Sequence, residues 1–513
     1  MTDNWIILPV IFQLALAVLM IFFWRKPFIQ QAISVAGSIV ALSIAVFLFI
    51  KVWQGGILIM NAAGWQAPFG IVFVADTFAA TMVLLTSIAG FAVSIFSVYT
   101  ISKSRKQYGY FPIFHLLIMG LIGAFLTGDI FNLYVWFEII IIASFVIMTL
   151  GGEKPQIEGA INYVTMNLLA SAIFLTAIGV LYGLAGTLNM ADLAIQVATI
   201  ENRGLVNVTA VLFFVGFGIK SAVFPLYFWL PSSYHTPPSA VAAIFGGLLT
   251  KVGIYALLRV FCLIFIPDAF MLNLISVIAV LTMFTGALGA MIQSNIRKLF
   301  SYLIVCHIGF MLAGLGMFTE LAIAGAVFYL IHDIIVKTNI FMVAGVIYKI
   351  KGSFKMSELG GIYKAYPNIS LLMAIVLFSL VGIPPLSGFW PKLFLIEAGL
   401  DLKQYWIIAA IILASFVTLW VIAKLWAEVF WKPKKERHEL VDQFIYYNEL
   451  RPLKRFTLLL PIVFLALISL YIGLGAENIV VLSKKIANDL MYPEAYIRAV
   501  LGADYINEIN NLK

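Results

Sequence analysis

The chain has 513 residues, 63% of them hydrophobic and only 11% charged, with a formal net charge of +8 and a mean hydropathy of +1.04. Soluble globules carry roughly 25% charged residues, so the composition excludes one. The basic excess is scattered among short loops and forms no patch, which excludes a nucleic-acid partner.

Repeated apolar runs near the roughly 20 residues that cross a bilayer mark an all-α polytopic membrane protein. In chain order the runs predict fourteen spans, at 5–24, 29–50, 71–101, 111–127, 129–150, 159–187, 206–230, 238–265, 270–293, 300–318, 321–349, 368–399, 404–431 and 455–475. The first span follows an acid, Asp3, with no base and no small-residue cleavage site, and reads as retained. Cys262 and Cys306 lie in apolar runs without a CxxC, so they read as small hydrophobes, with no metal or disulfide implied. Alternate loops hold nearly all the loop bases: Arg25 and Lys26; Lys103, Arg105 and Lys106; Arg297 and Lys298; Lys349 to Lys364; Lys432 to Arg455. By the positive-inside rule these loops face the cytoplasm and both termini lie outside a cell membrane. After Ala476 charges alternate with Val480, Val481, Leu482, Ile486 and Met491, as in an interfacial helix or one that packs on a partner.

Two spans carry breakers beside a lysine. The seventh has Lys220 and Pro225, and the twelfth reads LVGIPPLSGFWPK, with Pro384, Pro385 and Gly388 before Lys392. A mid-span proline removes a helix hydrogen bond, and the freed carbonyls are tolerated only against protein or a water-filled cavity. The breaks lie five spans apart, an odd offset that inverts orientation. The expected organisation is therefore spans 1–3 over residues 1–110, two inverted five-helix repeats over 111–265 and 270–431, and a loop, last span and tail over 432–513.

A charge at mid-bilayer costs about 2.5–3.5 kcal/mol on insertion scales, so each one needs a reason. Glu138, in VWFEIIIIASF, has no charged neighbour in sequence and must be protonated or paired with a cation from another span. Lys220 is the candidate; the pair would either transfer protons or simply fix packing. Lys251, in GGLLTKVGIYALL, sits too deep to snorkel and has no acid nearby in sequence, while Gly246 and Gly247 permit close helix approach. His332, Asp333 and Lys337 share the eleventh span; Asp333 and Lys337 are four apart and could pair, whereas His332 could relay protons at ordinary pH. His307 is either a relay or hydrogen-bonded packing, and Lys392 could be an exit group. Lys424 and Glu428 read as a local pair near an interface, and Asp76 and Asp129 as interfacial. Glu138, Lys220, Lys251, His332, Lys337 and Lys392 would thus form a line of titratable groups running sideways through the membrane. With no Walker loop, no GxGxxG and no long extramembrane segment, the chain is expected to move ions without a cofactor and not to act as an enzyme by itself.

The run PLYFWLPSSYHTPPSAVAAIFGGLLTKVGIYALLR, with YVWFEIIIIASF before it and SNIRKLFSYLIVCHIGFM and GIPPLSGFWPK after it, resembles the antiporter-like subunits shared by respiratory complex I, membrane-bound hydrogenases and Mrp-type antiporters. The loop SYHTPP and the helix end TKVGIYALLR are most similar to the D-type branch of the Mrp group. The resemblance implies a Glu138–Lys220 pair, Lys251 as central proton carrier, His332 and Lys337 along a hydrated axis, and Lys392 leading outward. It also implies a multi-subunit assembly, with A-type, C-type and small membrane subunits, that exchanges external protons for cytoplasmic sodium. The alternative is a proton-pumping subunit of a complex I-like oxidoreductase or hydrogenase.

Overall fold

The computed structural model describes residues 4–433 and 446–502. Asp3 and the bases Lys434, Lys435 and Arg437 lie outside the described residues. Twenty-two helices follow one another: α1 (Leu8–Phe22), α2 (Pro27–Gly55), α3 (Thr77–Thr100), α4 (Lys103–Gln107), α5 (Tyr110–Leu126), α6 (Ile130–Thr149), α7 (Lys154–Ala185), α8 (Met190–Thr199), α9 (Arg203–Ser221), α10 (Trp229–Ser233), α11 (Ser239–Ile244), α12 (Thr250–Leu263), α13 (Ala269–Met291), α14 (Ile296–Met317), α15 (Glu320–Lys351), α16 (Ile362–Ala365), α17 (Pro367–Val381), α18 (Phe389–Asp401), α19 (Tyr405–Trp426), α20 (Pro452–Leu474), α21 (Ala476–Met491) and α22 (Glu494–Leu501). Among the described residues twelve continuous helical segments are long and apolar enough to cross a membrane. The two remaining expected spans are the 17-residue α5 and the interrupted pair α17 and α18. Residues 72–75, expected to open the third span, instead form strand β2 (Val72–Ala75), which pairs antiparallel with β1 (Leu58–Asn61).

Side-chain caps set many of the helix starts. Asp76, Asp129, Asn189, Asp268, Asn295 and Thr319 each accept a hydrogen bond from the first turn of the helix they precede. Burial then sorts the helices. The most apolar windows of the Ser239–Leu263 segment and of α15 are wholly buried, against a third of those of α2 and α7, so the first two are central and the last two lie at the periphery of the chain. The 32-residue α15, about 48 Å long if straight, is the hub; it packs against α3, α11, α14, α17, α18, α20 and α21.

Both expected breaks are present. Helix α9 stops at Ser221, where Ala222 takes a left-handed conformation (φ 61°), and the chain passes a cis Phe224–Pro225 bond before α10. The carbonyls freed there are occupied: the backbone N–H groups of Ala222 and Val223 donate to Ile219 and Gly218, and Trp229 Nε1 donates to Ile219 O at 2.9 Å. Helix α17 stops at Val381, with Gly382 left-handed (φ 83°) and a cis Pro384–Pro385 bond before α18. The α21 helix packs on α15 and α3, burying Leu482, Ile486 and Leu490, so the tail covers this chain's own core instead of lying free at an interface.

Candidate functional site

The site is built around Asp333 at the middle of α15. Its Oδ2 lies 2.8 Å from Lys251 Nζ on α12, and its Oδ1 lies 2.8 Å from His307 Nδ1 on α14; all three side chains are fully buried. Lys251 therefore has an acid partner that its own sequence neighbourhood does not show, and the local Asp333–Lys337 pair does not form, because Asp333 points to two other helices. Between α11 and α12 the segment Phe245–Leu249 widens into a π turn. Such a turn leaves a carbonyl outside the regular ladder, and Lys251 Nζ donates to Gly246 O at 2.6 Å. The close approach rests on Gly247: a Cβ there would collide with Thr338 Oγ1 and stand 3.3 Å from Ile334 O of α15.

Around this triad lie the other predicted groups. Lys337 Nζ is buried and makes no hydrogen bond among the described residues. His332 points away from Asp333 and shares a 2.8 Å hydrogen bond, through Nδ1, with Ser387 Oγ in the second break. Tyr329 stands edge-on to both imidazoles, its ring 5.4 Å from His307 and 5.7 Å from His332. Lys392 donates to Val381 O at 2.7 Å, a carbonyl released by the break, and lies 5.1 Å from the Phe310 ring centroid. One lysine thus contacts the carboxylate directly, and Lys337 and Lys392 lie buried in the same region without pairing to it; such a cluster of titratable groups can hold its protons in more than one distribution.

At the first break, Lys220 and Glu138 make no direct ion pair, which corrects the expected contact. Lys220 Nζ donates to Ser171 Oγ on α7 at 3.2 Å and lies 4.9 Å from the Phe137 ring centroid. Glu138 Oε1 is buried without a hydrogen bond among the described residues. A cavity of about 20 Å³, counted as room for the centre of a water molecule, adjoins Lys220 between Tyr163, Asn167, Tyr234 and Gly253. That volume holds about one water.

Sequence reasoning missed a second charged cluster. Asp76 accepts both guanidinium nitrogens of Arg259, at 2.5 and 2.8 Å, with the carboxylate and guanidinium almost completely buried. The interfacial reading of Asp76 is therefore replaced by a buried pair between α3 and α12. Tyr255 receives a third bond from Arg259 and donates to Phe125 O. The signal was the spacing Lys251, Tyr255, Arg259, which puts all three on one helix face. Asp129 is a buried N-cap, and Glu428 pairs with Lys432 instead of Lys424. Cys262 and Cys306 are buried and free.

The residues from 127 to 418 match the family model described as NADH:quinone oxidoreductase/Mrp antiporter, transmembrane. That span is more than half of the chain. The chain belongs to this family. It is also 43% identical, over 97% of its own length and 99% of the relative's, to the D-type subunit of the Na(+)/H(+) antiporter of Alkalihalophilus pseudofirmus. Its identity to the corresponding D-type Na(+)/H(+) antiporter protein of Bacillus subtilis is 39%, with the same coverage. Among solved structures it is similar to a chain of the Mrp complex from Dietzia sp. DQ12-45-1b, with a TM-score of 0.88 and 29% identity over 97% of this chain and 99% of that one. A chain of the membrane-bound sulfane sulfur reductase, an archaeal respiratory membrane complex, matches with a TM-score of 0.87 and 27% identity, over 96% of this chain and 99% of that one. The segment that carries the Mrp antiporter family match runs from the cap of α6 into α19 and contains every group of the Asp333 cluster. Asp76, α20 and the tail helices lie outside it.

Proposed function

We propose that this chain is the proton-translocating subunit of a multi-subunit Na+/H+ antiporter, in which the proton gradient drives cation exchange. The observation that supports it best is the fully buried Lys251–Asp333–His307 cluster, set between two broken helices. Protons would pass along Glu138, Lys220, Lys251, the His307–Asp333 pair, Lys337 and His332, and leave by Lys392. In this reading the charges on Lys220 and Glu138 are coupled without direct contact, the charge on each group depending on its neighbour's proton, and the cavity beside Lys220 has room for a water on the path. Similarity to the D-type antiporter proteins supports A-type, C-type and small membrane subunits as partners. A redox-driven pump would use the same axis, as the likeness to the sulfane sulfur reductase chain suggests; the far higher identity to the antiporter proteins makes that reading the second.

Two inverted repeats, 111–265 and 270–431, belong to the same proposal. Each contains a helix broken before a proline, a left-handed residue at the end of the first half-helix and a π turn, at Phe245–Leu249 and Ala427–Trp431. Both termini would lie outside, which cysteine labelling from either side of the membrane would test. The transport experiment is exchange in everted vesicles carrying the whole complex, with Glu138→Gln, Lys220→Ala and Lys251→Ala. Each is expected to abolish sodium-dependent proton movement while leaving the complex assembled; normal exchange in all three would leave only a scaffold.

A further inference from the structure

His332 has two ring nitrogens in unlike surroundings. Nδ1 is 2.8 Å from Ser387 Oγ, and Ser387 Oγ is 2.9 Å from Ser469 Oγ on α20. Ser469 in turn donates its proton to Ser379 Oγ on α17, at 3.1 Å. The three serines are buried, and α20 is held against the break through Gly473, whose carbonyl accepts Trp390 Nε1 at 2.8 Å. A Cβ at Gly473 would meet Pro385 O at 2.5 Å and Ser387 N at 2.8 Å. Nε2, by contrast, is buried with no hydrogen-bond partner among the described residues. The space before it is kept by Gly388, whose Cβ would stand 3.0 Å away.

The direction of the last bond sets all the others. A serine hydroxyl has one proton to give. Ser469 spends its proton on Ser379, so the bond it shares with Ser387 must be donated by Ser387. Ser387 has then used its own proton, and its bond with His332 must come from the imidazole, as Nδ1–H. Which nitrogen of a neutral histidine carries the proton is set by the bond the other one makes; here Nε2 is left as a bare lone pair. We infer that Ser469, acting through Ser387, is a positioning residue that fixes His332 as the Nδ1-protonated tautomer, so that a proton moving along the axis is accepted at Nε2. This assigns a role to the last span, which lies outside both proposed repeats and outside the family match. The acceptor role rests on the proposed passage of protons through His332; the tautomer does not.

The test is nitrogen-15 NMR of histidine-labelled whole complex in lipid, with the His332 signals assigned by their loss in His332→Gln, alongside sodium-driven exchange in vesicles. The wild type is expected to show a protonated-type Nδ1 and an unprotonated-type Nε2. Ser469→Ala should mix the tautomers and slow exchange about tenfold, less than the roughly 10²–10⁴-fold that a positioned acid–base group supplies, because His332 itself is retained. Ser469→Thr, which keeps the hydroxyl, should restore both readouts. A protonated Nε2 in the wild type, or an unchanged tautomer in Ser469→Ala, overturns the inference. If Ser469→Ala fails to assemble, the wild-type spectrum alone still decides. Normal exchange in His332→Gln would remove His332 from the path, and the acceptor role with it, whatever the tautomer.

Discussion

Asp333 carries more of the candidate site than any other single residue, because it satisfies a lysine and a histidine from two other helices at once. Removing one member of a buried charged pair costs roughly 3–5 kcal/mol, since the survivor is left uncompensated. Asp333→Asn is therefore expected to abolish exchange in vesicles and to lower the thermal midpoint of the detergent-purified complex by several degrees. Restored exchange in that variant would remove Asp333 from the path. Lys106 offers a separate test outside the spans: it is buried in α4, donates to Val98 O at 2.5 Å, and its pKa is pushed down to about 8 by burial. A lysine depressed in the folded state penalises folding while it stays charged there, below about pH 8, and the penalty fades as pH rises towards the unfolded value near 10.5. Lys106→Met should thus raise the thermal midpoint at pH 7, and the advantage should vanish by about pH 10.5. An advantage that is constant with pH would point to packing alone.

Helix packing decides how near those groups come. Gly247 lets the π turn lie against α15, and a methyl group there would meet a hydroxyl and a backbone carbonyl that cannot both move aside. Overpacking of this kind costs typically about 1–3 kcal/mol. Gly247→Ala is expected to lower the thermal midpoint and to slow exchange at least tenfold by lengthening the Lys251–Asp333 contact, while the lysine itself is retained. The Arg259–Asp76 pair fastens α12 to α3 in the same direct way. Here Arg259→Gln alone should be more damaging to assembly than the double variant Arg259→Met with Asp76→Leu, because only the single change leaves a buried carboxylate unpaired. Equal damage, read as the yield of intact complex, would argue against a structural cost of that kind.

Across the whole chain, the central α15 is enclosed by helices from both proposed repeats and from the tail. The tail is therefore part of the fold. Leu482, Ile486 and Leu490 of α21 are buried, and each such side chain contributes about 1.5–3 kcal/mol relative to exposure. Truncation after Gly475 is expected to leave α15 uncovered and to reduce the recovered complex, measured by size-exclusion chromatography. Undiminished recovery would show that the neighbouring spans enclose α15 without help.

Hydropathy and breaker residues were enough to read the membrane class, the span order, the two interruptions and the list of buried titratable groups, because each follows from the cost of placing a charge or an open carbonyl in lipid. The partners of those groups were beyond such reading. Lys251 meets Asp333 across 82 positions of chain, Asp76 meets Arg259 across 183, and His332 reaches Ser469 only through Ser387. Proximity in sequence suggested Asp333 with Lys337 and Lys424 with Glu428, and both were wrong. A helix fixes which residues share a face, but only its packing against other helices fixes which face meets which, and in a low-dielectric interior that choice sets which charges are compensated.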